Sequence, residues 1–572
     1  MKLPQLVIRD ADDSCLREHA GLNPVFRRIL AARGVQSIDE IDYRLKNITR
    51  LESIRNLSSA ADLLTDLIKQ NKTILVFGDY DADGATSTAL CMRALNLMGY
   101  GHVNYLMPDR IADGYGLSLS VAERIVKHPP DCLITVDNGI ASFDGIDLLR
   151  RHGVDVIVTD HHLPGESLPN ASVIVNQNAW QEQIEGRNLA GVGIAFYLML
   201  ALRARLRESG WFSHDRPEPN LACCLDLVAI GTVADLVPLD YCNRIFIHEG
   251  LKRIRAGLCT DGIKALIEVA GKQLDNFSSV DIAFTLGPRI NAAGRLDDMT
   301  VGVQCLLADS VEVAADLAEQ LNNINLQRRE LQQQMADQAS RQLSSLDETE
   351  LGRQKSIVLF QADWHEGVVG IVASKLKEKY SRPSIVFAQS EDGQLKGSGR
   401  SIAGIHLRDM LDVVDKRIPG CIVKFGGHAM AAGLTLENTS LQLFTHTFES
   451  VINEYSDPAC FKNIIECDGE LEDQQVDLQF AIDLQNLSPW GQRFPTPSFV
   501  GEFQVINQRV LKEQHLKLTL ELAGQSYVDG IAFFQPRGVL SKRYEKITIH
   551  YELALNRFRG TDSVQILIRD IF

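Results

Sequence analysis

The sequence predicts an α/β protein: two α/β lobes joined by a long helix and followed by a small β-barrel. Three observations predict it. Between residues 56 and 180, the strand-like runs "TILVF", "CLITV" and "VDVIVT" alternate with the helical runs "DLLTDLIK", "TSTALCMRALNLMG" and "SFDGIDLLRRHG", a rhythm that builds a parallel sheet. Residues 311–343 carry an apolar stripe at helical spacing, Val313, Leu317, Leu321, Ile324, Leu331, Met335 and Leu343, with no Gly or Pro. From about residue 465 the pattern changes to alternation, as in "EFQVINQRVLKEQHLKLTLEL" and "KITIHYELALNRF", which suits short strands closing into a barrel.

In chain order, residues 1–55 read as a helical N-terminal extension and 56–265 as the first lobe, with an apolar, mostly helical stretch over 190–235. Residues 266–349 form a connector that includes the 311–343 helix. At 1.5 Å per residue that helix spans roughly 50 Å, enough to join two lobes. Arg328 interrupts its stripe, which counts against a coiled-coil arm. Residues 350–456 form a second α/β lobe, where "SIVLF" and "PSIVFA" are strands around the helix "GVVGIVASKLKEKY". Residues 465–572 form the barrel.

The 572 residues are 45% hydrophobic and 23% charged, the balance of a soluble multidomain protein. No apolar run approaches the roughly 18 residues of a membrane span, and the N-terminus lacks the pattern of a secretory leader. The eleven cysteines are scattered, with no C-x-x-C pair. Neither a zinc site nor a disulfide framework is expected, and a reducing cytoplasm fits best. The net charge of −16 opposes a nucleic-acid role. Two facts soften that objection: acids gathered around cations count towards it, and residues 501–572 hold ten Lys/Arg against eight Asp/Glu.

The chemistry starts at "VFGDYDADGATSTAL" (76–90), where Asp79, Asp81 and Asp83 alternate before Gly84. A calcium EF-hand opens this way, but its twelfth position needs a Glu, and here it is Leu90. The loop also follows a strand rather than a helix. Acids recur at the ends of the next expected strands: Asp137 after "CLITV", and Asp160-His161-His162 after "VIVT". Asp235, in "AIGTVADLVPL", reads as a fourth such position. The carboxyl ends of parallel strands share one crevice. That many carboxylates there repel one another and cost several kcal/mol each to desolvate. Divalent cations resolve the conflict; carboxylates with one or two imidazoles suit Mg²⁺ or Mn²⁺. Two such ions about 4 Å apart, sharing a carboxylate, clamp a phosphoryl group.

"DYDADG", "TVDNG", "TDHH" and "GTVADLVPL" together resemble the four motifs of the DHH phosphoesterase superfamily. "LGPRINAAGRL" (286–296), "DWHEGVVGIVASKL" (363–376), "GSGRS" (397–401) and "GGHAMAAGL" (426–434) are similar to its bacterial RecJ branch. The resemblance covers roughly residues 60–572. It implies a DHH catalytic domain, a DHHA1 substrate-binding domain and a C-terminal OB-fold.

It further implies Asp79, Asp81, Asp83, Asp137, His161 and Asp235 as ligands of two Mg²⁺ or Mn²⁺ ions, with Asp137 the bridge and Asp79 in a supporting role. Asp137, His161 and His162 are the implied catalytic residues, His162 facing the scissile phosphate. Implied substrate contacts are Arg110, Arg289, Arg295, Ser398, Arg400 and His428. The three arginines 289, 295 and 400 lie in Gly-rich stretches read as turns, and the resemblance assigns them all to the second lobe. Trp364 and His365 either pack or contact a base. On the barrel, Lys512, His515, Lys517, Arg557, Phe558 and Arg559 are candidates for single-strand binding. Several branches of the superfamily carry a metal-binding His four residues before the second aspartate of this motif. Here that position is Phe77, so a harder, Mg²⁺-tolerant site is expected.

The implied activity is a single-strand-specific 5′-to-3′ DNA exonuclease releasing 5′-mononucleotides, acting in recombination and repair. Its implied partners are single-strand-binding protein and a RecQ-type helicase. Two other readings stand beside it: a DHH-type phosphoesterase acting on short oligonucleotides or cyclic dinucleotides, and a non-catalytic replication scaffold. The intact acids argue against the scaffold.

Overall fold

β-branched and aromatic runs set up three principal sheets in the computed structural model, which describes residues 5–17, 21–180, 186–344, 353–390, 393–462, 464–523, 526–558 and 561–572. The first sheet is parallel. Its strands β1 (Ile74–Phe77), β2 (Val103–Leu106), β3 (Cys132–Val136), β4 (Asp155–Thr159) and β5 (Val173–Val175) lie in the order β2-β1-β3-β4-β5. β3 is buried along its whole length, as a central parallel strand covered on both faces must be. β2 and β5 are absent from the sequence expectation. Both are short edge strands, and neither leaves a strong apolar run. The strand order reverses between β1 and β3, and that switch point is where such sheets bind ligands.

Helices α1 (Ala82–Leu97) and α3 (Leu225–Ala234) are almost wholly buried, as is the first half of α2 (Gly191–Glu208). The N-terminal 55 residues were expected to be a helical extension. Their described part holds one α-helix, Pro24–Ala31, among short 3₁₀ turns. Helical spacing there lasts only two turns, between Pro24 and Gly34. Val25, Phe26, Ile29 and Leu30 belong to the main hydrophobic cluster, so this segment is part of the core of the first lobe.

The chain divides into two compact units, Ile8–Asn322 with Glu466–Phe572, and Met1–Val7 with Asn323–Ile465. The long helix α5 (Val311–Ser344) appears as its periodicity predicts and passes from one unit into the other. In the Asn323–Ile465 unit, strand Ile357–Phe360 runs parallel to Ser384–Gln389. Leu395–Arg400, Ala431–Leu436 and Ile422–Gly427 continue the sheet antiparallel. Helix α6 (Glu366–Tyr380) supplies the crossover between its two parallel strands.

The C-terminal strands Phe499–Leu511, His515–Leu522, Ser526–Ala532, Lys546–Phe558 and Thr561–Ile571 close into a barrel. The third and fifth pair in parallel, and the first reaches the fourth, the connectivity of an OB-fold. Leu516, Leu518, Leu520 and Leu522 alternate inwards along the second strand. The barrel shares one hydrophobic cluster with the first lobe. The lead-in to it is tied there too: Arg33 pairs with Asp468 at 2.8 Å, both side chains almost fully buried, and Tyr43 bonds Ser488. The segment before the barrel therefore packs with the first lobe.

Candidate metal centre

The "DYDADG" turn is shaped by its own carboxylates. Asp81 caps α1, accepting from the backbone N–H of Asp83 (2.9 Å) and Gly84 (3.1 Å). A Cβ at Gly84 would lie 2.3 Å from the Asp79 carbonyl oxygen, so the helix starts only with glycine there. Asp83 points at the N-terminus of α2, where Gly191 N–H (2.6 Å) and Val192 N–H (2.9 Å) bind its two oxygens. The positive end of a helix dipole favours a carboxylate at that place. Gly191 also has to be glycine, because its Cβ would stand 2.5 Å from the Cβ of Asp137.

Asp137, at the end of β3, has φ of 63° and is buried. A non-glycine residue in that region costs of order 1–3 kcal/mol and marks a functional constraint. Asp160, at the end of β4, organises the neighbouring turn. Its carboxylate accepts from the backbone N–H of Ile140, His161 and His162, and from Nδ1–H of His162 at 2.8 Å. Burial alone would raise Asp160, but His162 and these donors hold it below its ordinary value. Asn176 and Asn178 donate to the carbonyls of His162 and His161. The DHH turn is thus pinned by side chains from the segment after β5.

Asp235 was read as a strand-end acid. It is instead the C-cap of α3; "LVAIGTVAD" is apolar on every face because the helix is buried, and its periodicity is therefore hidden. The helix end nevertheless delivers Asp235 to the same place. His161 Nε2 lies 3.1 Å from Asp137 Oδ1 and 3.4 Å from Asp235 Oδ2. Three overlapping groups have ligand atoms within 4.8 Å of one another: Asp83, His161 and Asp235; Asp79, Asp81 and Asp137; Asp137, His161 and His162.

These residues fit cations. Asp79 Oδ1, Asp137 Oδ1 and His161 Nε2 are buried without a hydrogen-bond partner among the described residues, a costly arrangement unless something else binds them. Burial, reinforced by neighbouring carboxylates, drives Asp79 and Asp137 well above the usual carboxylate range, Asp83 up to about 7 and Asp235 up to about 8. Burial lowers His161 towards the neutral, ligating form. For His162 burial also opposes charge, but the hydrogen bond and charge of Asp160 prevail and push it up to about 9. Five carboxylates and an imidazole, gathered in overlapping groups, match Mg²⁺ or Mn²⁺.

Phe77 does not face this centre. Its ring is fully buried in a core with Leu117, Val121, Leu133, Ile146 and Val158. It replaces no ligand, and the expected link between this position and metal preference falls away. Arg110 lies over the Tyr80 ring, 4.1 Å from its centroid. Arg289 and Arg295 were assigned to turns of the second lobe. They sit on helix α4 (Gly287–Leu296) in the unit that holds the carboxylates. Pro288 is tolerated at the start of a helix, and small residues let α4 pack closely: Asn291 Oδ1 accepts from Ala82 N–H at 2.8 Å. Arg289 donates to Asn322 and to the Thr285 carbonyl.

Ser398 and Arg400 lie on a strand, not in a turn, and contact each other at 3.1 Å beside Gly370 of α6. Gly426 and Gly427 end a strand, and His428 opens the hairpin turn after them. Trp364 is buried, its indole N–H bonded to Gln338, and His365 caps α6. On the barrel, Lys517 is engaged by Asp529 at 2.7 Å. Arg559 and the side chains of Arg557 and Phe558 lie outside the described residues. The sequence reading missed Tyr115, beside His162, and Phe533 and Phe534, exposed against His515. The "GYG" around Tyr115 was the available signal.

No helix among the described residues is long and apolar enough to cross a membrane. The profile of the DHH family N-terminal domain matches residues 73–232, that of the DHHA1 domain 353–454, and that of the RecJ OB domain 467–570. The chain is 44% identical to the single-stranded-DNA-specific exonuclease RecJ of Escherichia coli, over 97% of this chain and 96% of that protein. It is 45% identical to the RecJ of Dickeya dadantii, over 96% of both. The crystal structure of Thermus thermophilus RecJ in complex with Mn²⁺ superposes with a TM-score of 0.82 at 28% identity, covering 99% of this chain and 79% of that one. The Mg²⁺ complex of the same protein gives 0.75.

Proposed function

The chain belongs to the RecJ family of single-stranded-DNA-specific exonucleases, and on that premise we propose that it hydrolyses single-stranded DNA from the 5′ end with two divalent cations, releasing 5′-mononucleotides. The observation that carries the reading is the pair of ligand groups joined at Asp137 on the switch point of the sheet. Asp83, His161 and Asp235, with Asp137 beside them, would hold one Mg²⁺ or Mn²⁺; Asp79, Asp81 and Asp137 would hold the other. Bound there, the ions acidify a water and neutralise charge on the phosphoryl oxygens.

The chain's own residues do the rest. His162, kept cationic by Asp160, presents Nε2–H as a donor to a phosphoryl or leaving oxygen. Arg110, Arg289, Arg295, Ser398, Arg400 and His428 are the donors proposed for backbone phosphates of the strand. The barrel engages the strand beyond the reacting end, with His515, Phe533 and Phe534 as stacking surfaces. The setting is recombination and repair in the cytoplasm, with single-strand-binding protein and a RecQ-type helicase as partners. Digestion of end-labelled single-stranded and duplex oligonucleotides with Mn²⁺, Mg²⁺ or chelator tests the reading. Mononucleotides should appear only from single strands, only with metal, and first from the 5′ end. Metal-independent release, or loss of label from the 3′ end first, would overturn it.

A further inference from the structure

Residues 107–117, "MPDRIADGYGL", form an arch that the reaction scheme above uses only at Arg110. The arch is built to present one side chain. Asp113 is buried and clasped by both guanidinium nitrogens of Arg124 (2.5 and 2.8 Å), and also accepts from the backbone N–H of Asp109. Gly114 and Gly116, with φ of 76° and 71°, bracket Tyr115, and only glycine adopts two such conformations without strain. Leu117 N–H is fastened to Ser142 Oγ at 3.0 Å. The outcome is an exposed Tyr115 whose ring meets His162 edge-to-face at 5.6 Å and Tyr80 at 6.2 Å.

The hydroxyl of Tyr115 lies 3.1 Å from Nδ1 and 3.4 Å from Nε2 of His162, and donates to the Asp137 carbonyl oxygen at 3.5 Å. His162 Nδ1–H is already committed to Asp160. One hydrogen bond fixes the nitrogen that carries the proton but leaves the ring free to swing about it. A second contact from another element removes that freedom. Tyr115 supplies it.

We propose that Tyr115 is a positioning residue for the hydrolysis: its hydroxyl, 3.1 Å from Nδ1 of the His162 imidazole, holds the ring so that its Nε2 edge faces the phosphoryl group. The proposal rests on the exonuclease reading. A kinetic double-variant cycle tests it on the full chain, using wild type, Tyr115→Phe, His162→Ala and both together on a 5′-phosphorylated single-stranded oligonucleotide with Mn²⁺. Tyr115→Phe keeps the ring and loses the hydroxyl, so kcat should fall about tenfold, the lower end for losing an outer-shell partner, with KM unchanged. In the His162→Ala background the same change should cost nothing further.

An equal loss in both backgrounds would mean that the hydroxyl acts on substrate directly, and the proposal fails. It fails equally if Tyr115→Phe keeps the wild-type kcat, or if only KM rises. A second measurement is independent of activity. In ¹⁵N-histidine-labelled protein, the ring signals of His162, assigned by their loss in His162→Ala, should shift or broaden in Tyr115→Phe; unchanged signals overturn the proposal. An inactive wild type with a shifted signal would sink the exonuclease reading alone, so the two failures are distinguishable.

Discussion

His161 Nε2 stands 3.1 Å from Asp137 Oδ1, both buried, in an orientation that is not a hydrogen bond. Two ligand atoms that converge without bonding each other point at a third body. Asp137 belongs to two of the three ligand groups, the sharing expected of a residue on which both proposed cations depend.

Asp137→Ala should therefore leave less than about a tenth of wild-type turnover, the minimum loss expected for disturbing a metal site. Isothermal titration with Mn²⁺ should show weakened binding at both sites. A variant that turned over at more than that fraction would remove Asp137 from the bridging role.

Chelated protein should lose thermal stability as pH rises from about 4 to about 8. The folded carboxyls of Asp83 (about 7) and Asp235 (about 8) sit above their ordinary value of 3.8. In that window the unfolded chain has released protons that the folded chain still holds, so stability falls with pH. Mn²⁺ should reverse the trend, because ligation requires the deprotonated forms and releases their protons. Melting curves at several pH values, with and without metal, check it; a chelated melting temperature that rises across the window contradicts it.

Arg289→Ala and Arg400→Ala should raise KM or lower turnover while bound metal, measured by elemental analysis, is unchanged. Affinity of the wild type for a single strand should fall with added salt, because each phosphate contact releases counterions. Flat affinity between low and moderate salt would mean that phosphate contacts do not dominate.

Phe534→Ala should weaken binding of long single strands by about 1–3 kcal/mol, the worth of one stacked base, and leave binding of very short oligonucleotides unchanged. Phe534 is 77% exposed at φ of 52° and is held against His515. Deleting the chain from about 465 is a poor substitute for this experiment, because the barrel and its lead-in share the core of the first lobe. Fluorescence anisotropy on long and short strands separates the cases; equal affinity for the long strand removes Phe534 from the interface.

Asp468→Ala should destabilise the catalytic unit by about 3–5 kcal/mol, the cost of stranding a buried charge. Asp468 accepts from Arg33, Arg9 and the Ser498 N–H. Denaturant unfolding measures it, and a loss under about 1 kcal/mol would show that the pair behaves as a surface ion pair.

The sequence by itself determined the strand–acid–helix units. "TILVF" leading into Asp79, Asp81 and Asp83, and "CLITV" leading into Asp137, need only local periodicity and capping, and a parallel sheet then gathers their ends. The long helix and the alternating barrel strands were legible for the same reason. Tertiary structure alone decided three things. Asp235 arrives on a buried helix whose uniform apolarity conceals its period. Arg289 and Arg295 ride on α4 in the catalytic unit, because small residues there allow a close approach to "DYDADG" that a Gly-rich string also permits for a turn. Phe77 turns into the core because of what covers that face of the sheet, and Tyr115 turns towards His162 because Arg124 and Ser142 fasten its arch, contacts between residues apart in the chain.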